Sequence, residues 1–545
     1  MPRENGEELL SPPLASPEQG VVRAAGVVSL ATLASRVLGF ARDMVVAQAF
    51  GAGPITDAFF VAFRIPNLLR RLLAEGALST AFIPVFTDYL TTRSRGEFLR
   101  MLRAVAGGML LLLAAVTLLG TLLAPWIVRV MAPGFFAVPA TGELAVRLTR
   151  LMFPYLFFVG LAALAMGILN AHRHFLAPAL APVMLNLAMI GAVLGLVPLF
   201  EEPIVGLAVG VLVGGLGQLV LQLPWLRRRG ALFVPALAPG HPALRRIGLL
   251  MVPTVFGLAV TQLNIFVDTV IASVLGAGRV SWLYYADRVV EFPLGVFGIA
   301  IATAALPTMA EQAARRDPTA LRRTLAFALR LGGFITLPAT VGLLVLREPI
   351  VRVLFQRGEF TAQDTAATAW ALGFYALGLS AFAGVKIGAQ VFYALGDTRT
   401  PVKVGIAAMV LNSLLAVGLA LFSPLAHGGL ALASSGSATF HAGMLLWLLS
   451  RRLGPLRDPA WRPSLGRTGL ATLILAAGLV AIWWVWPAHA SRGLEALLLA
   501  LVIVAAGLGY GGLHLWWRGE EMALLLDLLR RPRGGAISLR RDDGV

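Results

Sequence analysis

The chain has 545 residues, of which 58% are hydrophobic and only 13% are charged, and its mean hydropathy is +0.80. Soluble domains are about 45–50% apolar and about 25% charged, so this composition excludes an ordinary soluble protein. The chain has no cysteine, which excludes disulfides and thiol chemistry. The net charge of +17 would indicate a nucleic-acid partner in a soluble protein, but here it lies mostly in loops, where positive residues set membrane orientation.

The predicted elements are membrane-spanning helices. Residues 1–20 are polar and proline-rich, lack the apolar core of a signal peptide, and predict a disordered cytoplasmic tail. Apolar runs of roughly 20 residues, the length that crosses a bilayer core, then recur to the end of the chain. They predict fourteen spans, at 26–50, 56–90, 98–128, 142–170, 177–199, 203–226, 243–275, 281–312, 319–346, 363–395, 401–422, 426–450, 466–486 and 493–517.

The connections between these spans alternate in positive charge. One set of connections carries 29 Arg and Lys residues, and the alternate set carries six. Positive loops favour the cytoplasm, so both termini, including a second tail at 521–545, are predicted to be cytoplasmic. Three of the six outside arginines lie in "REPIVRVLFQRGEF" (347–360), which predicts a short interfacial helix. A solvated charged surface is favoured there over a functional role.

The sequence contains an internal repeat. "ARDMVVAQAFGAG" (41–53) resembles "VDTVIASVLGAG" (267–278), and three further matches follow in order at nearly the same offset, the last of them pairing Asn186 with Asn412. Six spans separate the two copies, and because six is even both halves have one orientation. This predicts an N-lobe at 21–231 (spans 1–6), a parallel C-lobe at 240–453 (spans 7–12) and an appended pair of spans at 464–520, an all-α architecture found in some secondary transporters.

Charged residues are concentrated in four of the predicted spans. At the centre of a bilayer each such residue costs about 2.5–3.5 kcal/mol on insertion scales, so it is expected to face a partner or a water-filled cavity. Prolines beside two of the charged turns, Pro66 and Pro293, are expected to open the helix and free backbone carbonyls. The charged residues are Arg36, Arg42 and Asp43 in span 1, Asp57, Arg64, Arg70, Arg71 and Glu75 in span 2, Asp287, Arg288 and Glu291 in span 8, and Lys386 in span 10.

Two interpretations of these charges are open. Some of them could be ion pairs that hold helices together, such as Arg42 with Asp43 or Arg288 with Glu291, and arginines near an interface could reach out to water. The excess of cations favours a wet cationic cavity between the lobes, for which Arg36, Arg42, Arg64, Arg288 and Lys386 are the best candidates. Because guanidinium groups bind phosphate and carboxylate bidentately, the predicted substrate is anionic.

A lone acid in span 7 forms a separate candidate site. Asp268 has Asn264 one turn earlier and Asn412 on span 11, and together these residues could hold a cation or a proton. A polar packing contact between the helices is the favoured alternative. No metal site or cofactor is predicted, since the seven histidines are scattered and no HExxH motif occurs.

The chain resembles the peptidoglycan lipid II flippases of the MurJ or MviN family. The resemblance is carried by "SRVLGFARDMVVAQAFGAGPITDAFFVAFRIPNLLRRLLAEGALSTAFIPVF" (35–86), "MAPGF" (131–135), "SWLYYADRVVEFPLGVFGIAIATAALP" (281–307), "LFQRGEFTAQDT" (354–365) and "ALGDTRTPVK" (394–403). It covers spans 1–12, whereas spans 13 and 14 agree only in number and place. The family belongs to the superfamily of multidrug, oligosaccharidyl-lipid and polysaccharide exporters.

The resemblance implies a central cationic cavity for the pyrophosphate, sugar and peptide of the head group, and a groove at the last two helices for the polyprenyl tail. The arginines that it implies for substrate binding are Arg36, Arg42, Arg70 and Arg288, to which Arg64 and Lys386 are added here; the supporting or gating residues are Asp43, Asp57, Asn67, Arg71, Glu75, Asp287 and Glu291. The basic residue of "AFRIP" is often Lys in the family and is Arg64 here. Cation coupling does not transfer cleanly, because span 11 carries no second acid and is apolar around Ala416.

The sequence therefore predicts a flippase that moves lipid II, an undecaprenyl-pyrophosphate-linked muropeptide, across the bacterial cytoplasmic membrane by alternating access. The expected partners are this lipid and the membrane lipids, without nucleic acid, and the chain is expected to act as a monomer, with cell-wall synthesis proteins as candidate associates. The alternative is an exporter of small molecules or of another lipid-linked oligosaccharide, although a drug exporter for organic cations should have an acidic cavity. A membrane enzyme is disfavoured because no loop exceeds about 20 residues and no nucleophile–base pair or acid cluster is evident.

Overall fold

The computed structural model describes residues 17–72, 78–231, 234–456, 461–487, 491–523 and 526, and within these ranges the secondary structure is helical with no strand. Short 3₁₀ or π segments connect some of the α-helices. In chain order the α-helices are α1 (Pro17–Phe50), α2 (Pro54–Leu69), α3 (Leu78–Thr92), α4 (Arg95–Met131), α5 (Pro139–Met152), α6 (Pro154–Ala171), α7 (Leu176–Gly191), α8 (Pro203–Val220), α9 (Leu223–Arg228), α10 (Pro242–Val274), α11 (Arg279–Pro293), α12 (Ile299–Ala314), α13 (Pro318–Val345), α14 (Arg347–Phe355), α15 (Ala362–Leu377), α16 (Leu379–Ala394), α17 (Arg399–Leu421), α18 (His427–Leu453), α19 (Trp461–Trp484) and α20 (Arg492–Trp516).

Each predicted span coincides with one of these helices or with two or more consecutive helical segments. Among the described residues, nine helices are long and apolar enough to cross a membrane, or up to ten if the bent pair α15 and α16 is one span. The all-α multi-pass architecture is thus confirmed, while the count of fourteen stays a prediction. The short helix expected in 347–360 is present as α14.

Several spans are broken, and two of the breaks lie just after a proline. Pro66 lies inside α2, which continues into a π-helical turn at 70–72. Pro293 ends α11, and a π-helical turn at Leu294–Gly298 leads into α12. The deviations are found beside the prolines, where the sequence predicts an opened helix, but they lie on the C-terminal side and not in the preceding turn, where the ring and the missing N–H act. The 43° bend between α15 and α16 has no proline at the break and was not expected.

The described residues form two compact units. The first unit takes those within Met1–Val45, Ile65–Leu123 and Arg150–Val255. In it α8 packs against α7 and α6, and α6 also packs against α3. Glycines along α8 allow this close approach, since a Cβ on Gly214 would lie 2.9 Å from the Cα of Leu185 on α7. The first unit is therefore a helix bundle in which glycines let the backbones of neighbouring helices pack closely.

The second unit takes the described residues within Val46–Arg64, Ala124–Thr149 and Phe256–Val545. Its core is apolar where α12, α13, α16 and α18 meet, with Leu325, Phe392 and Leu445 fully buried. The appended helices α19 and α20 pack on each other, and α19 also packs on α13. Tyr510 of α20 donates a hydrogen bond to the carbonyl of Phe334 on α13 at 2.8 Å, so the appended pair is anchored by polar as well as apolar contacts.

The structure bears on the predicted boundaries and on the repeat. Helix α1 begins at Pro17, inside the predicted tail 1–20, and Glu521, placed at the start of the second tail, is buried and accepts a hydrogen bond from Ser464 at 2.6 Å. The lobe boundaries themselves stay predictions. The repeat has a backbone counterpart, because the matched glycines Gly51 and Gly276 both have positive φ, at 62° and 111°. Each follows the end of a long helix, where a left-handed residue is most favourable for glycine.

Candidate functional site

In the first unit, Arg42 and Asp43 form a buried ion pair. Their side chains are 8% and 3% exposed, and the Arg42 Nη2 to Asp43 Oδ1 distance is 2.6 Å. Arg42 also donates to the side-chain oxygen of Asn186 on α7 at 3.1 Å, and the amide of Asn186 donates to the carbonyl of Ser35 at 3.0 Å. The interpretation of Arg42 and Asp43 as an ion pair is confirmed. The pair fixes α1 against α7 and gives both buried charges a partner.

The other predicted residues of the first unit are less enclosed. Arg36 is exposed, and within the described residues it makes no hydrogen bond or ion pair. Arg70 is partly buried and donates through Nε to the side-chain oxygen of Asn67 at 2.8 Å, whereas Arg71 is exposed. Glu75 lies outside the described residues. Arg36 and Arg71 therefore present guanidinium groups at the protein surface, and Asn67 orients Arg70.

In the second unit, Asp57 caps the start of α11. Its carboxylate is fully buried and accepts hydrogen bonds from the backbone N–H of Gly278 at 2.6 Å, from the backbone N–H of Ser281 at 2.8 Å and from the Ser281 hydroxyl at 2.5 Å. Gly278 has φ of +81°, and a Cβ there would lie 2.7 Å from the ring of Trp282. The carboxylate also lies at the positive end of the α11 dipole, so three donors and the dipole stabilise the contact between Asp57 and α11.

Arg64 and Asp268 belong to a polar cluster of the second unit. Arg64 donates to the hydroxyl of Thr269, and Asp268 and Asp287 are near enough to interact with it electrostatically. Asn412 is fully buried, and its amide donates to Asp268 at 3.1 Å and to Asn264 at 2.8 Å.

These side chains form the polar helix contact favoured by sequence. The described residues contain no group of three or more His, Cys, Asp or Glu side chains that could hold a metal ion.

The guanidinium group of Arg288 on α11 contacts both an acidic and an aromatic side chain. Nη1 pairs with Glu291 at 2.7 Å, Nη2 donates to the Tyr284 hydroxyl at 3.2 Å, and the guanidinium carbon lies 5.0 Å from the centre of the Tyr284 ring. Tyr284 in turn stacks on Phe60 of α2 at 3.9 Å. The predicted ion pair is confirmed, but its side chains are 32% and 52% exposed, so solvent or a ligand can reach it.

Two predicted residues of the second unit are exposed. These are Lys386 on α16 and Asp287, which precedes Arg288 on α11. The sequence did not single out Thr269, Ser281 or Tyr284, which supply the partners of Arg64, Asp57 and Arg288. Their only signal was position, because Thr269 follows Asp268 directly and the other two lie inside the quoted stretch "SWLYYADR".

Long apolar helices that carry charged residues are typical of a multi-pass membrane transporter. The sequence profile described as "Lipid II flippase MurJ" matches residues 46–502. The "Probable lipid II flippase MurJ" of Vibrio cholerae is 42% identical over 426 residues, which is 77% of this chain and 81% of that protein. The chain belongs to the MurJ lipid II flippase family.

Comparison of structures leads to the same family. A structure titled "Lipid II flippase MurJ, inward closed conformation" matches 92% of this chain and 99% of its own, with a TM-score of 0.76 and 26% identity. An inward-facing multidrug resistance MATE family transporter of the MOP superfamily matches 77% of this chain and 95% of its own, with a TM-score of 0.66 and 17% identity, and so shares the fold. The predictions of the family, of a transporter rather than an enzyme, and of a multi-pass protein of the bacterial inner membrane are confirmed.

Proposed function

We propose that the chain moves lipid II from the inner to the outer leaflet of the cytoplasmic membrane by alternating access, without covalent chemistry. The observation that supports this most is a set of basic side chains on apolar helices that the protein does not fully bury, namely Arg36, Arg64, Arg70, Arg288 and Lys386. Unpaired in hydrocarbon, each would cost about 2.5–3.5 kcal/mol on insertion scales. Such residues therefore indicate contact with water and with an anionic ligand.

The diphosphate of lipid II suits these groups. A guanidinium donates two parallel hydrogen bonds to phosphate oxygens, and two arginines can satisfy both phosphates. The Arg288–Glu291 pair is half-exposed, and such pairs contribute only about 0–1 kcal/mol, so a diphosphate can replace Glu291 at little cost. Arg288 is therefore proposed to bind the head group directly, together with Arg36, Arg64, Arg70 and Lys386.

Arg42 has a different place in this proposal. Its guanidinium is already used by Asp43 and Asn186, so contact with a substrate requires release of Asn186. We assign Arg42 to substrate binding in that released state and Asp43 to its support. Asn67, Arg71, Glu75 and Asp287 are assigned supporting roles on the resemblance of their motifs to the family.

Asp57 is proposed as a gating residue. It joins the start of α2 to the start of α11 through three hydrogen bonds, and both starts are predicted at the outer side of the membrane. Separating α2 from α11 would require water to replace all three donors at once. The contact therefore favours a state in which these helix ends stay together.

The membrane potential gives a direction to the cycle. An inside-negative potential opposes outward movement of a cationic cavity and favours its return, at about 2.3 kcal/mol per charge per 100 mV. Lipid II brings its own negative charge, which offsets that cost on the outward step. Flipping in vesicles should therefore change with an imposed potential, and a rate independent of potential would reject this coupling.

Three further assignments rest on sequence. Asp268 and Asn412 remain the candidate cation site, although their hydrogen bond supports a packing role. Both termini are proposed to be cytoplasmic from the charge alternation, which protease protection of tagged tails in sealed vesicles would test. The chain is proposed to work as a monomer that associates with cell-wall synthesis proteins. The mass of the purified protein in a bilayer disc tests whether it is a monomer.

The proposed function is tested by complementation of a flippase-depleted strain and by flipping of labelled lipid II in vesicles. Arg36→Ala and Arg288→Ala should fail to rescue growth while reaching the membrane at the wild-type level. Arg93→Ala is the matched control, because Arg93 is an exposed arginine just after α3. Rescue by both site variants would remove these residues from the mechanism. A wild-type protein that flips another lipid-linked oligosaccharide but not lipid II would instead favour the alternative exporter.

A further inference from the structure

A polar cavity lies in the second unit, where α14, the start of α15 and the start of α20 meet. Its volume is about 660 Å³, within the range of about 300–1,000 Å³ that is usual for small-molecule sites. The lining includes Arg352, Arg357, Thr365, Arg492, Gly493 and Glu495. The transport proposal gives no role to any of these residues.

The charges of this cavity do not cancel. Arg352 pairs with Glu348 at 2.5 Å and with Glu495 at 3.2 Å, so both carboxylates of the lining are bound to one arginine. Within the described ranges, neither Arg357 nor Arg492 pairs with a carboxylate. Arg357 is held instead by the backbone carbonyls of Val353 and Leu354 at the end of α14, which orients its guanidinium.

Two further features favour an anion in this cavity. Helix α20 begins at Arg492, and its N-cap Ser491 provides no side-chain hydrogen bond, so the first-turn N–H groups and the positive end of the helix dipole remain available beside Gly493. Burial and the nearby charge of Arg492 lower the pKa of Arg357, so the two guanidinium groups repel each other. An anion held by both groups would remove that repulsion.

The surroundings favour a lipid as the source of this anion. Leu494, Leu497 and Leu501 of α20 are 47%, 57% and 56% exposed, and their spacing places them on one side of the helix. This apolar surface begins within one turn of Arg492, and α20 is long and apolar enough to cross a bilayer. A ligand with a phosphate group and a hydrocarbon chain would use both features.

We propose that this cavity binds the phosphate or diphosphate head group of a membrane lipid, with Arg357, Arg492 and the start of α20 as the anion ligands and the exposed leucines of α20 beside the chain. None of the residues that line this cavity is among the basic residues assigned to transport. It does not require the bound lipid to be the one that is transported.

Native mass spectrometry of the full-length protein with defined lipids tests the proposal. Undecaprenyl diphosphate and phosphatidylglycerol are the probes, phosphatidylethanolamine is the zwitterionic comparison, and inorganic pyrophosphate is the free-anion competitor. The wild type should bind at least one anionic lipid more strongly than phosphatidylethanolamine. Arg492→Gln and Arg357→Gln should each weaken that binding about tenfold, since each removes a charge-assisted contact.

Arg347→Gln is the matched control, because Arg347 starts the same α14 but does not line the cavity. Because Arg492 is exposed, Arg492→Gln should fold normally. If Arg357→Gln does not fold, Arg492→Gln alone tests the proposal. Unchanged lipid binding in Arg492→Gln, an equal loss in Arg347→Gln, or binding of pyrophosphate without any lipid would overturn the proposal.

The transport function is measured separately, as flipping of lipid II by the wild type. Missing lipid binding with intact flipping would reject this site alone, and intact lipid binding without flipping would reject the transport proposal alone.

Discussion

The contact between Asp57 and α11 gives the sharpest prediction. Replacing Asp57 with Ala removes an acceptor from three donors, two of which are backbone N–H groups at a helix start. A hydrogen bond to a charged group contributes about 1.5–3 kcal/mol, but the donors can be rehydrated if the helices separate. We therefore expect the free energy that favours the state with α2 and α11 joined at Asp57 to fall by about 2–4 kcal/mol. The ratio of the joined to the separated state then decreases by about 30- to 1,000-fold.

The chain has no cysteine, so one introduced thiol can report this shift. Val280 lies at the start of α11 and is 2% exposed, and Val280→Cys should react slowly with a maleimide in the wild-type background. Asp57→Ala should accelerate labelling by about the factor above, and Asp57→Asn by less, because its amide oxygen still accepts.

Asp317→Ala is the matched control for this measurement. It removes an acid that caps α13 through the N–H groups of Thr319 and Ala320, and it should leave the labelling rate at residue 280 unchanged. Equal rates in the wild type and Asp57→Ala, or equal acceleration by Asp317→Ala, would refute the reasoning.

Three further predictions concern single contacts. Hydrogen bonds from Thr400 lower the pKa of Asp397 from 3.8 to about 2. This carboxylate therefore stabilises the fold above about pH 4, and the stabilisation disappears as the pH falls towards 2. The melting temperature of Asp397→Asn should differ from that of the wild type at about pH 6 and match it near pH 2. Asn412→Ala should lower the free energy of unfolding by about 1–3 kcal/mol, because the hydrogen bonds that the Asn412 side chain makes with Asp268, Asn264 and Ser437 are lost. An unchanged melting temperature would contradict the packing role. Glu291→Gln should change the free energy of unfolding by less than about 1 kcal/mol, because the ion pair with Arg288 is partly exposed. Arg288→Gln should slow lipid II flipping at least tenfold. A large loss of stability in Glu291→Gln would show that the pair is structural.

The helices were predictable because the bilayer imposes both length and composition. A run of roughly 20 apolar residues has few alternatives to a helix, since every backbone group must be hydrogen-bonded internally. Irregular helix near Pro66 and Pro293 was predictable from the prolines, but the position of the π-helical turns after them was not. The bend between α15 and α16 was not predicted. It lies at Gly378, next to a turn in which the Ser435 hydroxyl of α18 donates to the carbonyl of Phe374, and the sequence does not indicate that partner.

The candidate site was predictable only in part. A charge inside an apolar helix is conspicuous, so Arg42, Asp57 and Arg288 stood out in the sequence. Their partners did not, because Ser281 lies 224 residues from Asp57 and an ordinary serine carries no signal of its own. Pairing was correctly expected where the partner is a neighbour in the same helix, as for Arg42 with Asp43. The sequence thus shows where charge is anomalous, while the fold determines which charges are neutralised.

The ion pair between Arg42 and Asp43 separates structure from transport. Breaking a buried pair leaves an uncompensated charge and costs about 3–5 kcal/mol, so Arg42→Val should be strongly destabilising. Val267 occupies the matched position in the second copy of the repeat, where Asp268 bonds to Asn412 and no arginine precedes it in the sequence. Adding Asp43→Asn removes the stranded charge and leaves an amide that can pair with Asn186.

The double variant Arg42→Val with Asp43→Asn should therefore recover most of the stability in thermal unfolding. Its flipping rate then reports the guanidinium alone. A stable double variant that does not flip lipid II would place Arg42 on the substrate, whereas a stable one that flips normally would leave Arg42 a purely structural role. A double variant as unstable as Arg42→Val would contradict the electrostatic account of the pair, because no unpaired charge would remain to explain the loss.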